Sequence, residues 1–106
     1  MSKTEKILAL RVALLIAVSE AEKVKDTEDG GTSNIDSPTI YLPDWSESAI
    51  NEAFKLTGLV PSRHGKTVYI LRACEGQGYR RTAMAEVFCE SLRASGYTAG
   101  VDYRMD

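Results

Sequence analysis

This chain of 106 residues is short of the side chains that do metal and thiol chemistry, with one histidine, His64, and two cysteines, Cys74 and Cys89. A structural zinc site needs four such ligands and a catalytic one needs three. Two cysteines also make no disulfide framework. The reading is therefore no metal, no cofactor, and free thiols in a reducing, cytoplasmic setting. An excess of either charge is also missing: 13 Lys and Arg stand against 15 Asp and Glu, for a net charge of −2. That excludes a general DNA-binding protein, which is clearly basic, and falls short of an acidic nucleic-acid mimic. No hydrophobic run is long enough to span a bilayer. The longest, "ILALRVALLIAV" at 7–18, is interrupted by Arg11 and covers only about 18 Å as a helix. Glu5 and a poor cleavage site also fit a signal peptide badly, so a buried helix is expected and no membrane partner.

What is present suits one domain over residues 1–106, large enough for a core of its own. Charge is unevenly spread. Residues 26–37, "DTEDGGTSNIDS", hold Asp26, Glu28, Asp29 and Asp36 without a cation. Residues 62–81 hold Arg63, Lys66, Arg72, Arg80 and Arg81 against Glu75. The first segment reads as a polar, flexible loop. The second is a modest basic patch whose Ser62, Arg63 and Lys66 could meet phosphates. Around Ser62, Arg63 and Lys66 no aromatic residues interleave for base stacking, so nucleic acid is a weakly supported partner.

A helix is predicted over 5–25 with Thr4 as its cap. Leu8, Val12, Leu15 and Ile16 cover one side of it, and Leu10, Leu14 and Val18 another. A helix apolar nearly all round is buried on more than one face; the second face meets loops and neighbouring helices, a second copy or a partner. "SPTIYLP" at 37–43 reads as a strand. Asp44 with Glu47 reads as a capping box for a helix that stops at Gly58. "KTVYILR" at 66–72 has the pattern of a central strand covered on both sides. A helix over 79–95 places Met84, Val87, Phe88 and Leu92 inward, with Cys89 opposite. "TAGVDYRM" alternates as a peripheral strand. The order α-β-α-β-α-β predicts an α/β domain with a three-stranded, mostly parallel sheet and right-handed crossovers. An α+β fold with antiparallel pairing is the alternative.

One stretch carries a candidate site. In "ACEGQGYRR", residues 73–81, Gly76 and Gly78 follow the central strand and open a helix, and Arg80 and Arg81 fall in its first turn. Glycines let the backbone approach a ligand, and a helix N-terminus attracts anions. Cations there oppose the helix dipole, so a carboxylate such as Glu75 or Asp44, or a bound anion, should neutralise them. Gly76, Gly78, Arg80 and Arg81 are the candidate anion-binding residues. The stretch is neither a Walker loop nor a dinucleotide fingerprint.

"EGQGYRRTAMAEVFCESLRASGY", residues 75–97, resembles the pyrophosphate-binding turn and helix of the GNAT-type acyltransferases. Gly78 matches the first glycine of that family's motif, while Glu75 replaces its Gln or Arg and Arg80 its last small residue. The resemblance covers about a fifth of the chain and implies acyl-CoA as the ligand of this turn.

Other chemistry is sparse. His64 lies at the far end of the sheet from the glycine turn. Cys74, at the end of the central strand, has no expected base beside it, and Asp44 and Glu75 could form a carboxylate pair. Trp45, Tyr79 and Tyr103, with Tyr41 nearby, are candidate interface aromatics, joined by Leu10 and Leu14 as the outward face of the first helix. No catalytic residue is assigned. The expected function is a small non-enzymatic protein-interaction module, in the style of a bacterial or phage accessory protein. It would regulate or inhibit a protein partner, or self-associate through the N-terminal helix. The alternative is a phosphate, nucleotide or acyl-CoA binding domain built on the glycine turn.

Overall fold

The computed structural model describes residues 1–105. Three helices and four strands follow in the order α1 (Lys3–Glu22), β1 (Ser37–Tyr41), α2 (Glu47–Phe54), β2 (Val60–His64), β3 (Thr67–Leu71), α3 (Gly78–Ala94) and β4 (Ala99–Asp102). The strands form one sheet in the order β2-β3-β1-β4, antiparallel at every junction.

The expected parallel sheet is thus replaced by the antiparallel alternative, and the cause is a strand absent from the sequence reading. β2 is "VPSRH", with little apolar alternation and a proline, features of an edge strand. It turns into β3 through Gly65 and Lys66, a two-residue connection in which Gly65 takes φ 65° and Lys66 keeps a negative φ. That is the primed-turn geometry that suits the twist of a hairpin. Each strand–helix–strand unit still joins strands of like direction. β3 lies between β1 and β2, however, and β1 between β3 and β4. This is a split β-α-β arrangement, preceded by one further helix.

That helix, α1, packs against both α3 and α2, which do not touch each other. Its inner face alternates leucine with small residues, Leu10, Ala13, Leu14, Ala17 and Ala21, all buried. Small side chains let helix axes approach closely, and the leucines fill the gaps. Pro38 and Ile40 of β1 and Val68 and Ile70 of β3 meet the helical layer, with Ile50, Phe54, Met84, Phe88 and Leu92 completing the core. Cys89, expected on the polar side of α3, is fully buried, whereas Val87 is only half-buried.

The caps also differ from expectation. Ser2, not Thr4, caps α1 in a reciprocal capping box with Glu5, and the helix ends at Glu22. Ser46, not Asp44, caps α2 by accepting the N–H of Ala49. Each helix also carries an acid in its first turn, Glu5 in α1 and Glu47 in α2, which serves the positive end of the helix.

Candidate functional site

The glycine turn connects β3 to α3, and its geometry is set by the chain's own 26–36 segment. Gln77 stands at the N-cap position of α3 without a side-chain hydrogen bond, and the first turn contains no acid. The loop supplies what is missing. The Asp29 carboxylate accepts the N–H of Gln77 at 3.3 Å, and the Gly30 carbonyl accepts the N–H of Tyr79 at 2.9 Å. Arg80 Nε lies 3.3 Å from the same Asp29 carboxylate and donates to the Thr27 carbonyl at 3.0 Å. Arg81 Nε donates to the Asp36 carbonyl at 2.8 Å. Among the described residues neither Glu75 nor Asp44 pairs with either arginine. The neutralising acid is Asp29, about fifty residues upstream.

This contact explains both glycines. A Cβ on Gly78, whose φ is 55°, would lie 1.7 Å from the Gly30 carbonyl oxygen. A Cβ on Gly76, at φ 80°, would lie 2.6 Å from the Asp29 carboxylate. Both residues supply the left-handed backbone and close approach that only glycine allows without strain. The close neighbour is the protein itself, and the N–H groups of Gln77 and Tyr79 that could cradle a phosphate already have acceptors.

The seal continues into Asp36, only 4% exposed. Its carboxylate accepts the Thr82 hydroxyl at 2.7 Å and the Arg104 N–H at 2.8 Å. Asn34 donates to the Gly78 carbonyl and to Thr82, and bridges to Met105. A buried carboxylate with a partner at each oxygen is a stable element, and here it ties the loop, α3 and the C-terminal segment together.

Beside this knot lies an open groove of about 440 Å³ lined by Asn34, Asp36, Gly78, Tyr79, Thr82 and Tyr103, among others. Tyr79 and Tyr103 are exposed on it, and the Tyr79 ring covers Gly30 and Gly31. Two of the three candidate aromatics therefore meet at the glycine turn. Trp45 does not: it lines a separate groove of about 460 Å³ with Lys3, Lys6, Pro43 and Asp44.

Leu10 and Leu14, expected to face outward, are fully buried between the helices. The outward side of α1 is the opposite stripe, Leu8, Val12, Leu15 and Ile16, each 42–54% exposed. These four lie at the i, i+4, i+7, i+8 spacing of one helix face and extend over about 12 Å of helix. Ile16 continues into a shallow groove shared with Val87, Ser91 and Ala94 of α3.

The remaining reactive groups are subdued. Burial pushes the Cys74 thiol up to about 12, with Arg81 opposing the shift, so almost no thiolate forms at neutral pH. Burial also raises Cys89. His64 stands on β2 with Nε2 3.3 Å from the Ser62 hydroxyl and its ring 5.0 Å from that of Tyr69. No helix among the described residues is long and apolar enough to cross a membrane. No family model, curated protein or solved structure matches the chain.

Proposed function

We propose that this chain is a non-enzymatic protein-interaction module that docks through the outer face of α1, and that the first occupant of that face is a second copy. The observation that carries this reading is the stripe of Leu8, Val12, Leu15 and Ile16, left half-exposed while Leu10, Ala13, Leu14, Ala17 and Ala21 on the other face are buried. Contiguous exposed apolar side chains of this kind mark interaction sites on soluble domains.

Charge argues for self-pairing. Glu5 precedes the stripe and Lys23 follows it, eighteen residues or about five turns later, so both project from the same side of the helix. Both are exposed. An antiparallel pair of α1 helices about a two-fold axis sets Glu5 of each copy near Lys23 of the other and buries the two aliphatic stripes together. Such an interface is isologous, as in most homodimers. An accessory protein that regulates or inhibits a target would use the same apolar face, or the composite surface of the dimer. The alternative built on the glycine turn has less support, since Asp29 and Gly30 already occupy the helix N-terminus.

Sedimentation equilibrium from micromolar to several hundred micromolar tests the reading. Wild type should show a monomer–dimer equilibrium, and Val12→Lys should remain monomeric. A wild-type protein that stays monomeric throughout, or a dimer indifferent to Val12→Lys, overturns it.

A further inference from the structure

All three helices lie on one side of the sheet, and the other side bears a different chemistry. The strand registers place its residues in rows. His64, Thr67 and Tyr41 form one row across β2, β3 and β1. Ser62, Tyr69, Thr39 and Gly100 form the next, across all four strands. Val60 with Leu71, and Ser37 with Asp102, occupy the third. Tyr41 and Leu71 are exposed and Tyr69 is half-buried, although it sits near the centre of the sheet on β3. Tyr41 and Tyr69 are diagonal neighbours on paired strands, which sheet geometry sets about 7–8 Å apart. That distance suits two consecutive bases of an extended strand.

Two cations border this surface. Arg104 lies with its guanidinium carbon 5.7 Å from the Tyr69 ring centroid and donates to the Tyr69 hydroxyl at 3.3 Å. It also pairs with Asp102 at 2.7 Å. Being exposed, it can lift to clamp a planar group against the ring. Lys66 stands exposed at the β2–β3 turn, beside His64, whereas Arg63, paired opposite the buried Val68, alternates to the helical side of the sheet and donates to the Gly65 carbonyl. Tyr69 lies within the basic segment, but Tyr41 and Arg104, 63 residues apart, join it only through the fold.

We propose that the open sheet face binds single-stranded nucleic acid, with bases stacked on Tyr41 and Tyr69 and phosphates met by Lys66 and Arg104. The face carries aromatic rings between small hydroxyl side chains, which leave room for stacking. Lys66 and Arg104 stand at its edges, in a chain of net negative charge. These features match the general requirements of a stacking platform with an electrostatic border. The surface lies on the opposite side of the sheet from α1, so it can be occupied with the helix face engaged.

Fluorescence anisotropy with labelled ten-nucleotide oligouridine and oligothymidine, at low and moderate salt, tests this directly. Wild type should bind at least one of them saturably, with affinity falling as salt rises. Preference for one oligomer separates RNA from DNA as the source. Tyr41→Leu and Tyr69→Leu should each weaken binding about five- to 150-fold, and Lys66→Gln should flatten the salt dependence by about one charge. Thermal melting confirms that each variant is folded, and Tyr41, being exposed, serves if the Tyr69 variant is not. Val12→Lys should leave oligomer binding intact, which separates this surface from the α1 face. The proposal is overturned if neither oligomer binds at low salt, or if binding ignores both tyrosines and responds only to charge. It also fails if Tyr41→Leu dissociates a dimer, which would make the sheet face a protein interface.

Discussion

The glycine turn and α1 both depart from what their sequences suggest, in different ways. The turn has the look of a ligand site, with paired glycines, a helix N-terminus and two arginines. In the folded chain it is closed by residues 26–36. The helix reads as facing outward through Leu10 and Leu14, yet that stripe is the core and the opposite aliphatic stripe is open. The difference lies in what each region lacks locally. α3 starts without a capping side chain or an acid, so it recruits Asp29 and Gly30 from a distance. α1 has apolar side chains on both faces, but only one face carries Ala13, Ala17 and Ala21, and only that face can pack closely against two helices. An apparent site can be structural when its polar needs are met internally, and an apolar stripe of a core helix can stay open when no neighbour fits it.

Five substitutions sharpen or break this contrast. Gly78→Ala should have the largest effect. Its positive φ strains any other residue, and the new Cβ would collide with the Gly30 carbonyl. We expect a loss of about 4 kcal/mol or more in denaturant unfolding, and a mild effect would mean that the loop is not held against α3. Leu14→Ala follows, at about 3 kcal/mol, as a fully buried leucine truncated between packed helices. Asp36→Asn should cost about 1–3 kcal/mol, because an amide cannot accept from both Thr82 and the Arg104 N–H; amide exchange of Arg104 reports the loss locally. Asp29→Ala should cost no more than about 1 kcal/mol, since its pair with Arg80 is well exposed. Its sharper readout is phosphate binding: if the loop carboxylate is what seals the turn, weak phosphate affinity should appear in this variant and not in wild type. Leu8→Ala, on the outer face, should change the unfolding free energy by less than about 0.5 kcal/mol, in contrast to Leu14→Ala on the same helix.

The sequence pattern alone revealed the three helices, β1, β3 and β4, because each has a local signal: helical spacing, β-branched runs, or glycine stops. β2 escaped notice because Pro61, Ser62, Arg63 and His64 form a strand only by pairing with β3. With that strand missing, the sheet was read as parallel. The candidate site was legible in part. Tyr79, Tyr103 and Gly78 do converge on one groove, while Trp45 lies elsewhere because it belongs to the entry of α2. The partner of the arginines could not be identified, since Asp29 is far from Arg80 in sequence and four acids compete in the same loop. The orientation of α1 did have a signal that composition hid: the alanines at 13, 17 and 21 share the face of Leu10 and Leu14. Tyr41, Tyr69, His64 and Arg104 share a surface only through strand register, which no spacing along the chain announces.

The most direct test of the central claim, that α1 folds the domain with one face and docks with the other, is a paired measurement on Leu8→Lys/Val12→Lys. Its melting temperature is taken at a concentration where wild type is monomeric, and its mass at one where wild type is dimeric. The account predicts a melting temperature close to that of wild type and complete loss of the dimer. A steep fall in melting temperature would contradict it by showing that the outer stripe is part of the core, and an intact dimer would show that the chain associates through another surface.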